Sequence, residues 1–78
     1  MLTLQKLEEI ATEVIGALIR LTPDQSAADV PGWDSLNNTL IALDISNAFG
    51  VELSGWDMAQ CSTFGDLIVV VNRKLAEG

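Results

Sequence analysis

Asp34 and Ser35 stand together where a stretch rich in proline, glycine and small polar residues gives way to an apolar-periodic run ending at Phe49. A serine hydroxyl at such a corner is small and within reach of an external enzyme, so covalent attachment is the chemistry it can offer. Histidine-assisted nucleophilic catalysis is excluded, because the chain contains no histidine. Asp34 and Ser35 are also both good helix N-caps, whose side-chain oxygens accept unpaired N–H groups of a first helical turn. A helix start alone therefore explains the pair, and only the surroundings can argue for attachment. Cys61 is the single cysteine and cannot form an internal disulfide. Without histidine it cannot belong to a Cys/His zinc cluster either, and it reads as a small buried hydrophobe rather than a reactive thiol. No catalytic residue and no metal site is expected.

The elements that must position this corner belong to a small chain. Its 78 residues are expected to form one domain, 1–78, stabilised by core packing alone. Eleven acidic and four basic residues give a net charge of −7, which opposes binding to nucleic acid or to anionic membrane surfaces. The same acidity serves solubility, or steers the chain toward enzymes with basic patches. No apolar run reaches the roughly 18 residues of a membrane span, and no export signal is visible, so a cytoplasmic location is expected.

Leu4, Leu7, Ala11, Val14, Leu18 and Leu21 recur in steps of three and four, which predicts a helix from Thr3 to about Leu21, ended by Thr22-Pro23. From Thr22 to Asp34 no period is visible, and a connection this long exceeds the usual helix–helix link of about 2–8 residues. Val30 is its expected anchor. Trp33 either closes the end of the bundle or meets an attached group or a partner. The next helix is expected over Ser35 to Phe49, with Ile41, Ile45, Ala48 and Phe49 on its inner face and Gly50 as its stop. Val51-Glu52-Leu53 lacks a partner strand. A short helical piece follows from Trp56 to about Gln60. Thr63-Phe64-Gly65-Asp66 resembles a capping box that opens a last helix with Phe64, Leu67, Ile68, Val71 and Leu75 inward. The result is an all-α bundle of three longer helices and one short third helix.

Asp34-Ser35-Leu36 in this setting resembles the attachment motif of acyl carrier proteins. Phe49-Gly50-Val51-Glu52-Leu53 and Thr63-Phe64-Gly65-Asp66-Leu67 are similar to that family's elements, as are the length, acidity and long first loop. The resemblance implies a four-helix bundle and a 4'-phosphopantetheine arm, derived from coenzyme A, on Ser35. Asp34 and Leu36 would flank the attachment, and Asp34 would position magnesium or a basic group of the modifying enzyme. A phosphodiester there would sit at the positive end of a helix, beside unpaired N–H groups. The implied partners are a phosphopantetheinyl transferase and acyl-activating and acyl-transferring enzymes, met by a monomer. Ile41, Leu43, Ile45, Met58 and Cys61 are implied as the lining of an acyl pocket, together with Leu36.

One departure bears on the partners. Family members serving fatty-acid synthesis usually carry several glutamates on the second helix. Here that surface reads Asn37, Asn38, Leu40, Ser46 and Asn47, with Asp44 its only carboxylate. Leu36, Leu40, Asp44 and Asp57 are therefore the expected partner-binding residues, with Leu40 either a docking residue or core. A specialised acyl carrier fits this pattern first. An aminoacyl carrier of the D-alanyl or peptidyl kind comes second, and an unmodified helical interaction module third.

Overall fold

The computed structural model describes residues 1–77. Among them lie four helices, α1 Leu4–Ile15, α2 Ser35–Phe49, α3 Gly55–Ala59 and α4 Phe64–Glu77, with one 3-10 turn at Ala27–Asp29. α1 packs against α2 and α4, while α3 lies on α2. The fold is thus the expected all-α four-helix bundle with a short third helix. Its centre is filled by Leu7, Ile41, Ile45 and Val71, which are inaccessible to solvent.

α1 begins as expected, with the Thr3 hydroxyl accepting the Lys6 N–H at 3.1 Å. It ends six residues short of Leu21, at Ile15. Gly16 takes a left-handed conformation, φ 81°, and its N–H returns to the Thr12 carbonyl at 2.9 Å. Two α1 side chains then capture the departing backbone. The Thr12 hydroxyl accepts the Ile19 N–H at 3.0 Å, and the Glu8 carboxylate accepts the Leu21 N–H at 2.8 Å. Ile19 and Leu21 are buried from this loop, whereas Leu18 is left in solvent. The apolar spacing of Leu18 and Leu21 continues the helical rhythm; the hydrogen bonds do not.

The long loop is fastened at both its flanks. Its carbonyls at Pro23 and Gln25 each accept an N–H from the start of α4, from Gly65 and Phe64, both at 2.9 Å. Those groups are orphans of the first helical turn, so the loop caps α4 from outside. The Thr63 hydroxyl adds to that cap by accepting the Asp66 N–H at 3.2 Å. Val30 and Trp33 are buried beneath the loop. Between them Gly32 sits at φ 87°, and a Cβ there would lie 2.7 Å from the Ile15 side chain.

α2 keeps its expected bounds, and Gly50 ends it. Ile41, Ala42 and Ile45 are its buried residues, while Ala48, expected inward, is exposed. The Ser46 hydroxyl lies 3.0 Å from the Leu53 carbonyl and accepts the Leu53 N–H at 3.1 Å. That pairing holds the linker to α2 and lets Leu53 turn inward. α3 opens on a reciprocal cap. Ser54 Oγ accepts the Asp57 N–H at 3.1 Å, and the Asp57 carboxylate accepts the Ser54 N–H at 3.0 Å. α4 buries Phe64, Leu67 and Val71 as expected, with Ile68 and Leu75 packed beside them. Near its end Asn72 grips the opposite terminus: Leu2 N–H donates to Asn72 Oδ1 at 2.8 Å, and Asn72 Nδ2 donates to the Leu2 carbonyl at 3.1 Å.

Two predictions follow from these local arrangements. Gly16→Ala places a side chain in open space and should cost about 1–2 kcal/mol for the left-handed backbone alone. Gly32→Ala adds a collision with Ile15 and should cost about 1–3 kcal/mol more. Denaturant melts giving equal losses would refute the Ile15 contact. The second concerns Asp57, whose carboxyl is held below the ordinary aspartate value by the Ser54 N–H first and the Ser54 hydroxyl second. Its contribution is therefore present above the unfolded-state pKa, about 3.9, and lost as pH falls through the lower folded value. At neutral pH Asp57→Asn should melt below the native chain, with the gap closing below about pH 4. A gap that persists at acid pH would count against the cap.

Candidate functional site

Asp34 takes the N-cap of α2, leaving Ser35 as its first helical residue. The Asp34 carboxylate accepts the Asn37 N–H at 2.8 Å, and its carbonyl accepts the Asn38 N–H, also at 2.8 Å. Ser35 is exposed. Its carbonyl accepts the Thr39 hydroxyl at 3.1 Å, while its own hydroxyl makes no hydrogen bond among the described residues. The N–H groups of Ser35 and Leu36 have no acceptor within the helix and form part of the positive end of its dipole. An anionic ester formed at this oxygen would lie beside two free N–H groups, with the Asp34 carboxylate next to it already accepting the Asn37 N–H. Ser35 and its surroundings fit a phosphate-linked arm.

The corner is held in place by its neighbours. Asn37 Nδ2 donates to the Gly32 carbonyl at 2.8 Å, tying α2 back to its own approach loop. Trp33, next but one before Ser35, is only 8% exposed. Its indole N–H donates to Asn38 Oδ1 at 2.9 Å, and its ring lies 4.8 Å from that of Phe64, tilted 39°. Trp33 closes the end of the bundle, and it also borders the cleft beside Ser35. Asn38 also reaches toward α3, with Nδ2 a long 3.4 Å from the Gly55 carbonyl.

Beside Ser35 opens a cleft of about 310 Å³, bounded by Ala27, Trp33, Asn38, Met58 and Cys61. Its inner side meets a void of about 20 Å³ that reaches Phe64 and Leu67. Met58 and Cys61, expected as pocket lining, border both spaces. Ile41 and Ile45 are packed in the core and border neither. Leu43 is a correction: it is 53% exposed on the outer side of α2. Two residues along a helix is about 200° of rotation, so Leu43 cannot share a face with both Ile41 and Ile45. The Cys61 thiol is pushed above its usual pKa, by burial first and then by the carboxylates of Asp66 and Asp57. It stays protonated at neutral pH and donates weakly toward the Asp57 carbonyl, 3.6 Å away. A roomier depression of about 510 Å³ lies at the other end of α2, among Phe49, Val51, Lys74 and Leu75, away from any candidate residue.

The outer face of α2 carries Leu36, 69% exposed, Leu40, 40%, and Leu43. Steps of four and three place them within about 60° of arc, in a row that begins next to Ser35. Leu40 is thus a surface residue and not core. Asp44 is exposed nearby, while the Asp57 carboxylate is engaged in the α3 cap. Asn37, Asn38 and Ser46, expected on this surface, instead brace the loop, Trp33 and the linker. The bracing by Asn38 escaped the sequence reading, as did Trp56, 70% exposed on α3. A buried tryptophan five residues before an asparagine was the only signal for that brace.

Comparison with known proteins agrees with this architecture. Residues 5–70 match the family described as "Phosphopantetheine attachment site". An acyl carrier protein of Thermotoga maritima is 30% identical over 71 residues, 90% of this chain and 88% of that one. Another, of Solidesulfovibrio magneticus, is 31% identical over 74 residues, 94% of this chain and 95% of its own. No solved structure matches significantly. The family match over most of the chain, on a four-helix bundle with an open serine at the head of α2, places this chain in the acyl carrier protein family, whose members are non-catalytic carriers bearing a covalent 4'-phosphopantetheine.

Proposed function

We propose that Ser35 is the attachment residue and that the chain, a single carrier domain over 1–78, carries acyl groups as thioesters for a dedicated cytoplasmic pathway. The observation that supports this best is the exposed, unbonded Ser35 hydroxyl at the first turn of α2, on the lip of an open cleft. Attachment joins Ser35 Oγ to the phosphorus of coenzyme A as the pyrophosphate bond breaks. Adenosine 3',5'-bisphosphate leaves, and the hydroxyl proton passes to a base of the transferase. The attached arm supplies the thiol that forms thioesters. The chain's own part is to hold the phosphodiester at the N–H groups of Ser35 and Leu36 and to present the arm at a fixed corner. Asp34 keeps that corner rigid through its cap, and its exposed charge is available to magnesium or a basic group of the transferase.

The row Leu36, Leu40 and Leu43, with Asp44 at its side, is the proposed docking face for the transferase and for acyl-handling enzymes. Its low charge suits a partner with an apolar pocket more than a strongly basic groove. The net charge of −7 guides approach from a distance, and the chain is proposed to act as a monomer. No helix among the described residues is long and apolar enough to cross a membrane.

Two experiments test this. Incubation with coenzyme A and a broad-range phosphopantetheinyl transferase should add one phosphopantetheine by intact mass, and Ser35→Ala should abolish the gain. Because Asp34 provides the cap, Ser35→Ala should leave the helical circular dichroism and melting midpoint nearly unchanged. Modification of Ser35→Ala would move the site elsewhere; an unmodified native chain would favour a plain interaction module. Loading by aminoacyl- but not acyl-activating enzymes would reassign the cargo to amino acids. In the second, Leu40→Glu should slow transfer by cognate enzymes while shifting stability by no more than about 0.5 kcal/mol. Undiminished transfer in a stable variant removes the docking role.

A further inference from the structure

Resting on Ser35 as the point of attachment, we propose that Trp33 is a plug that bars the cargo from the helical interior. Short acyl groups are then the cargo class that this carrier suits, and a long chain stays outside the bundle.

A group anchored at Ser35 Oγ starts at the mouth of the 310 Å³ cleft. The inward route passes Trp33, Asn38, Met58 and Cys61, which border both the cleft and the void behind it. That void measures about 20 Å³, a small fraction of the cleft in front of it and far too little for a long acyl chain.

The indole cannot swing aside without loss. Its N–H would leave Asn38 Oδ1, unpairing two half-buried groups, and its ring would leave Phe64. The backbone is restrained as well, by the Trp33 N–H to the Val30 carbonyl at 3.2 Å beside the buried Val30 side chain. The neighbouring seam between α2 and α3 is also shut. A Cβ added at Gly55 would lie 3.1 Å from the Thr39 hydroxyl, so the two helices touch at their N-terminal ends. The cleft itself is open, with Ser26, Asp34, Ser35 and Asn38 on its polar edge and Ala27, Trp33, Met58 and Cys61 among its apolar lining. An arm meets polar groups at the edge, and an alkyl chain lying in so open a cleft keeps one side in water.

The test is a ladder of cargo lengths. The chain is loaded from acetyl-, hexanoyl- and dodecanoyl-coenzyme A with a broad-range transferase, and loading is verified by intact mass. The melting midpoint and the Trp33 indole N–H resonance are then read for each form. In the native chain the midpoint should stay level within about 2 °C, because each methylene that entered the core would raise it by about 3–6 °C. The indole resonance should not move with length. In Trp33→Val the midpoint should climb from acetyl to dodecanoyl. Should that variant not fold, Asn38→Ala, which frees the indole without emptying the core, is read in the same way. A native midpoint or indole resonance that follows chain length overturns the proposal. So does a ladder that remains level in every folded variant. Absence of any mass gain refutes Ser35 attachment instead, a separate outcome seen before any melt.

Discussion

A buried indole N–H must find an acceptor, and much of this small fold is arranged around where Trp33 finds one. The acceptor is Asn38, one turn inside α2, at 2.9 Å. Through that bond the approach loop is locked to the helix that it feeds. The ring meanwhile rests on Phe64, the first residue of α4, and the same asparagine reaches toward Gly55 at the start of α3. Loop and three helix N-termini therefore converge on one side-chain pair. Ser35 lies between the two partners in sequence, so its position follows from a contact in which it takes no part.

How much of this was legible in the sequence depends on the kind of signal. α2 was readable at both ends, because Asp34 and Gly50 are strong local punctuation flanking an apolar run. The inward face of α4 was equally plain from its four-residue returns. The apolar spacing predicts α1 too long because Leu18 and Leu21 keep the helical rhythm after Gly16 has broken the backbone. Glycine at that point was itself a stop signal, outweighed by the periodicity. Leu43 failed for a different reason. α2 is apolar on its outer side as well as its inner one, so hydrophobicity cannot say which leucines face the core. The work of Asn37, Asn38 and Ser46 depends on tertiary partners, and polar residues on a helix carry no mark of which loop they will meet.

The acidity of the chain also has a second meaning. Composition suggests solubility or steering, yet several of the carboxylates accept hydrogen bonds from the chain's own loops and helix starts. Glu8 holds the Leu21 N–H, Asp29 the Ser26 N–H, Asp34 the Asn37 N–H and Asp57 the Ser54 N–H. Asp24 accepts the Thr22 hydroxyl at 2.7 Å, which lowers its pKa. Such charge-assisted bonds to loop and cap groups are stronger than neutral ones. By contrast the Lys6–Glu9 ion pair, 3.8 Å apart on the surface, is of a type that contributes little. Negative charge here stabilises turns more than it answers positive charge.

The clasp between Leu2 and Asn72 bears on how the molecule comes apart. Its two hydrogen bonds join residues 70 positions apart, so it is a long-range contact that brings the two ends of the chain nearly together, which local turns and helices do not require. Local turns and helices are expected to form before it, and it contributes nothing to a transition state reached earlier. An interaction of that kind leaves the folding rate alone and acts on the rate of opening. The N-terminal residues before α1, which look like a short overhang, are thus expected to govern how long the folded state lasts once formed.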